Sequence, residues 1–107
     1  MRDDLPLLLD RIREHLDAPF APTSSDLAAM ELTLTDGYAE ALELEAARAR
    51  AERKIGELAA GAHDPVSLHE LRERSDERTA AEADLQRLRA LLELLRRRVD
   101  ERRALEA

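Results

Sequence analysis

Towards its carboxyl end the chain carries Leu68, Leu71, Ser75, Arg78, Leu85, Leu88, Leu92, Leu95, Val99 and Arg102 on one stripe. The stripe repeats about every 3.5 residues, a period that keeps one helix face turned toward a partner helix in a left-handed supercoil. A chain built on such a stripe buries its apolar surface between helices. It has little else to build with, because Phe20 and Tyr38 are its only aromatic residues in 107. The fold class expected is all-α.

The preceding run supplies the neighbour. Tyr38, Ala41, Leu44, Ala47, Ala51, Ile55 and Leu58 recur at spacings of three and four over residues 38–60, with Gly61 as a stop signal and Pro65 soon after. Ser67 and Glu70 have the spacing of a capping box and predict that a new helix starts there, running over 68–105. The connection GAHDPV is short, so the two helices must be antiparallel neighbours. Folding them about His63 sets Ile55 near Leu71, Ala51 near Ser75, Arg48 near Arg78, Leu44 near Glu82 and Tyr38 near Leu88. The middle of this hairpin is polar and small, and an arginine buried there would need a carboxylate such as Glu45 or Glu82. At 1.5 Å per residue the last helix is roughly 57 Å long against roughly 35 Å for 38–60, so it is expected to overshoot its partner.

At the amino end, DLPLLLDRIREHLD sets Leu5, Leu8, Leu9, Ile12 and Leu16 on one face of a short amphipathic helix, with Pro6 tolerated in the first turn. Such a helix is too short to be stable alone and needs a surface to dock on. The organisation read from the chain is an N-terminal helix in 1–17, a linker in 18–25 and a helical hairpin over 26–107 with its turn near 61–66. From Asp26 the run DLAAMEL fits a helix begun by a cap at Ser24 or Ser25, yet Thr33, Thr35 and the Asp36–Gly37 pair weaken the pattern and predict a break near Thr35.

Charge and residue type narrow the function. A net charge of −7 repels polyphosphate at long range and argues against nucleic acid as the main partner. No cysteine is present, so disulfides and thiolate metal sites are excluded. The amino end lacks the pattern of a secretory signal and no apolar run is long enough for a membrane span, so a soluble cytoplasmic protein is expected. His15, His63 and His69 share no metal-ligand spacing, and no nucleophile with its base, phosphate loop or acid/base pair is discernible. No enzyme activity is expected. The arginines at 87, 89, 96, 97, 98, 102 and 103 complement the dipole of a helix C-terminus, or could meet an acidic protein surface or a phosphate ligand.

The run EADLQRLRALLELL, beginning at Glu82, holds more leucine than one seam needs. Leu91 and Leu94 flank the seam of Leu88, Leu92, Leu95 and Val99 and widen the apolar arc to about half the helix circumference. One neighbour covers less, so a further helix is implied: the N-terminal one, a second copy, or another protein.

The segment from Glu82 to Asp100 resembles the helix of RsiG-type anti-sigma factors, coiled coils that sequester a WhiG sigma factor related to flagellar FliA-type sigma factors. The resemblance implies stoichiometric capture of such a sigma factor through Leu88, Leu91, Leu92, Leu94, Leu95 and Val99, assisted by Leu8, Leu9 and Ile12. In that family cyclic di-GMP arms the complex through a Glu, Ser, Arg, Gln, Asp signature. Its places fall here at Glu82, Gln86, Arg89, Glu93 and Arg97, so only Glu82 and Arg89 agree. On the preceding helix the corresponding trace is Glu43, Ala47, Arg50, Lys54 and Leu58. Arg97 removes an acceptor for guanine, Glu93 adds negative charge and Gln86 is bulkier than serine, so weak or absent cyclic di-GMP binding is expected. The alternative to an anti-sigma factor is a self-associating coiled-coil adaptor whose apolar arc is met by a second copy.

Overall fold

A computed structural model describes residues 4–18, 24–61 and 64–106. Among them all regular structure is helical, in three helices: α1 (Asp4–Asp17), α2 (Ser24–Gly61) and α3 (Pro65–Glu106). The contacts divide the chain into two units, one of residues up to Ala41 together with those from Arg87 on, the other of residues 42–86.

The range of α1 is the one its leucine spacing predicts, and it buries Leu5, Leu8, Leu9 and Ile12. Ala18 N–H donates to the Glu14 carbonyl at 3.0 Å and closes its last turn. Of the linker read at 18–25, residues 19–23 lie outside the described residues, and Ser24 and Ser25 already belong to α2.

The break expected near Thr35 is absent, and α2 runs through it as one helix. Two features reconcile these residues with a helix. Thr33 and Thr35 donate their hydroxyls to the carbonyls of Ala29 (3.0 Å) and Glu31 (3.1 Å), which satisfies the side chains within the helix. Gly37 is buried and provides a notch, because a Cβ there would overlap Leu92 Cδ2. The helix boundaries near the turn also differ from the expectation. Gly61 is the last helical residue of α2, with no positive φ. Asp64, and not Ser67, caps α3: its Oδ1 accepts Ser67 N–H at 2.8 Å and its carbonyl accepts Leu68 N–H at 3.1 Å. Pro65 then occupies the first helical position, where its missing N–H costs nothing. His63 lies outside the described residues.

In the first unit three helical segments share one core. Leu5, Leu8, Leu9 and Ile12 of α1, Met30, Leu34 and Ala41 of α2, and Leu88, Leu92, Leu95 and Val99 of α3 are all buried. Each large aliphatic side chain so buried contributes on the order of 2 kcal/mol. Contacts fix the chain directions within the unit. Arg11 and His15 meet Thr33 and Asp36, so α1 runs opposite to α2. Arg96 donates to Tyr38 Oη at 3.4 Å and Arg103 meets Glu31 at 3.4 Å, so α3 also opposes α2. The register is shifted from the expected pairing of Tyr38 with Leu88. The Gly37 notch seats Leu92 instead, a turn further along α3.

The second unit pairs the distal part of α2 with the first part of α3. Its buried apolar residues are Leu44, Ala51 and Leu85, while Ile55, Leu58 and Leu71 are half-buried and Leu68 is exposed. This thin, small-residue seam is the one the alanine-rich pattern predicts. No arginine is buried in it: Arg48 reaches Glu52 at 4.0 Å on its own helix, and Arg78 is exposed.

Candidate functional site: the outer face of α3 and two surface grooves

The overshoot of the last helix, and most of the surplus apolar arc, are resolved within the chain. Because α2 begins at Ser24, α2 spans 38 residues against 42 in α3. The arc is wide because α1 and α2 both pack on it. Leu88, Leu92, Leu95 and Val99, and likewise Leu8, Leu9 and Ile12, are core residues exposed by no more than 6%. Of the residues expected to meet a partner, only Leu91, half-buried, and Leu94, 47% exposed, face outward in this state. Leu94 borders a shallow groove of about 240 Å³ whose other walls are Leu16, Arg97, Arg98 and Glu101.

The arginines of the tail are engaged at home. Arg97 pairs with Glu93 at 2.7 Å and Arg96 with Asp100 at 3.6 Å, while Arg98 donates to the Ala18 carbonyl. Arg102, on the seam stripe, is buried and reaches Glu106 at 3.7 Å. Arg87 and Arg89 also have partners. The basic tail therefore braces the first unit.

The second-helix positions of the nucleotide signature, Glu82, Gln86, Arg89, Glu93 and Arg97, are all exposed, and Arg97 is occupied by Glu93. The first-helix positions behave differently. Ala47, Arg50 and Lys54 line a groove of about 350 Å³ in the second unit, together with Ala51, Arg74 and Glu77. Glu77 holds Arg74 Nη1 with both oxygens, at 2.9 and 3.0 Å, which raises the Arg74 pKa further. Lys54 meets Glu57 at 3.7 Å.

A polar cluster at the α1–α2 contact went unread in the sequence. Arg11 donates to Thr33 Oγ1 (3.2 Å) and Asp36 Oδ2 (3.1 Å), and His15 Nε2 lies 3.0 Å from the same Thr33 oxygen. Thr33 gives its proton to Ala29, so His15 bonds as the Nε2–H tautomer. Burial lowers the His15 pKa and the Arg11 charge lowers it further, against smaller opposing effects of Glu14 and Asp26. No sequence spacing links Arg11 to Thr33, because they meet only once α1 docks.

Among the described residues no group of His, Asp or Glu could hold a metal ion, and no helix is long and apolar enough to cross a membrane. His69 is paired with Glu73 at 2.9 Å. No protein-family model, no curated protein and no solved structure matches the chain.

Proposed function

We propose that this chain is a non-catalytic protein-capture factor of the RsiG type, which sequesters a WhiG/FliA-like sigma factor in the cytoplasm by helix packing and without cyclic di-GMP. Its architecture on this reading is an antiparallel two-helix coiled-coil hairpin with α1 laid along it. The observation that carries the reading is the outward leucine edge of α3. Leu94 is 47% exposed, with Leu91 beside it and Leu16 across the groove. Arg97 and Glu101 rim the edge and suit it to an amphipathic partner helix whose apolar side chains fill the groove. The buried seam of Leu88, Leu92, Leu95 and Val99, with Leu8, Leu9 and Ile12 on its cover, becomes a contact surface only where the partner displaces α1.

Co-expression with the host's flagellar-type sigma factor tests the proposal. The wild-type chain is expected to co-purify with it in a stoichiometric complex, and Leu91→Glu/Leu94→Glu to lose the complex while keeping its helicity. A soluble chain that leaves the sigma factor uncomplexed overturns it.

The alternative, a self-associating coiled-coil adaptor, is favoured by a second pattern on α2. Leu32, Ala39, Leu42 and Ala46 fall at heptad spacing and are all exposed, Leu32 by 59% and Leu42 by 66%. Sedimentation separates the readings: a stable dimer, abolished by Leu42→Glu and indifferent to the sigma factor, supports the adaptor.

A further inference from the structure

We propose that the outer face of α2 pairs with the same face of a second copy of the chain, antiparallel, in a register that sets Glu43 of each copy against Arg50 of the other. Such a pair rests on the self-association reading given above and makes it specific. Capture through Leu94 uses α3 and does not depend on it.

The face is marked by what α2 keeps off it. Leu32, Thr35, Ala39, Leu42, Ala46, Ala49 and Arg53 follow one another at alternating spacings of three and four, the repeat of a coiled-coil seam. All are exposed except Ala49, which is half-buried. None is a carboxylate, although the helix carries eight. A solvated face on so acidic a helix gains nothing by excluding carboxylates while it exposes two leucines, whereas a face that meets another helix gains from both.

Charge then identifies what meets it. From Ser24 to Ala47 the helix has six carboxylates and no lysine or arginine, and from Arg48 to Lys54 it has four cations and one carboxylate. A helix so divided complements a copy of itself laid in the opposite direction. It repels one laid in the same direction, because parallel copies set acid beside acid and base beside base.

The seam gives the register. In a parallel pair Arg53 would face Arg53 of the other copy. In an antiparallel pair whose two-fold axis passes between Ala46 and Ala49, those two alanines oppose each other and Arg53 lies across from Leu42, which can pack on its aliphatic stem. Glu43 then falls level with the interval between Arg50 and Arg53 of the other copy, once on each side of the axis. Both arginines are exposed and, among the described residues, make no ion pair. The other flank carries Glu45 and Glu52, offset by Arg48, which meets Glu52 at 4.0 Å.

The test is sedimentation of the full chain over a concentration series, with charge reversals that tell the orientations apart. Wild type is expected to form a dimer. Glu43→Arg and Arg50→Glu, both at exposed positions, should each weaken the homodimer about tenfold, because each turns two attractive pairs into repulsive ones. Circular dichroism of both should match wild type. Mixed in equal amounts, the two variants should recover wild-type affinity as a heterodimer, in which both pairs are again of opposite charge. A dimer that Glu43→Arg leaves unchanged, or variants that fail to recover on mixing, overturns the antiparallel register while the self-association reading stands. A wild-type chain that stays monomeric across the series overturns both.

Discussion

Gly37 and Gly56 lie on the same helix and do opposite work. A methyl group at Gly37 would run into Leu92, which is itself buried, so Gly37→Ala forces a packed side chain to move. Overpacking of this kind costs about 1–3 kcal/mol, against about 1 kcal/mol recovered from helix propensity, so the variant should unfold at lower denaturant than wild type. Gly56 meets nothing within 4 Å, and Gly56→Ala should stabilise by about 0.5–1 kcal/mol. Urea denaturation of both checks the contrast, and equal effects would show that Leu92 does not seat in the notch. His15 gives the chain a pH response. Burial and Arg11 lower its folded pKa below the ordinary value of 6.5, so the unfolded chain takes up its proton first as pH falls. The associated stability is complete above about pH 6.5 and is lost as pH falls towards and through the lowered value. Thermal melts should therefore show a loss of stability over that window that His15→Gln reduces, and an unchanged profile in the variant would contradict it. None of these couplings can be read locally. Thr33, Gly37 and Arg11 each look like a break or a solvated charge until the helix that faces them is present.

At the scale of elements, α1 was legible to the residue, because Leu5, Leu8, Leu9 and Ile12 follow the helical period and nothing competes with it. For α2 the opening at Ser24 or Ser25 was legible and its continuity past Thr35 was not. The two threonines and Gly37 count against a helix by propensity, and the packing that overrides them is tertiary. The cap of α3 was legible in principle, since an Asp–Pro pair places a capping carboxylate just before a proline at the first helical position, but the neighbouring Ser67–Glu70 pattern competes with it. The leucine excess of α3 correctly announced a further helix, and the structure makes that helix α1, a candidate the sequence had left open. Of the candidate contact residues, the sequence could not separate Leu91 and Leu94 from the rest, because the width of an apolar arc does not say how many helices cover it. A prediction belongs to this scale: introducing Ile12→Asp, at a position with no exposure, should detach α1 and uncover Leu88, Leu92, Leu95 and Val99. The variant should self-associate in sedimentation at concentrations where wild type does not change its state. If its state matches that of wild type, α1 is not what shields the seam.

At the scale of the whole molecule the two units differ in how they are held. The first unit gathers apolar side chains from three helical segments, and Ile12, Leu88 and Leu95 have no exposed surface at all. The second closes two helices over Leu44, Ala51 and Leu85, with its outer leucines half-buried or exposed and its ion pairs near the surface. Exposed pairs of that kind contribute about 0–1 kcal/mol each, whereas a buried leucine contributes about 2 kcal/mol. Local opening free energy follows buried apolar contact, so the helices of the second unit should open more readily than those of the first. Amide hydrogen exchange makes the difference measurable, since amides at positions 47–58 and 70–82 should exchange before those at 88–99. Uniform protection across both units would show instead that the chain opens as a single cooperative body.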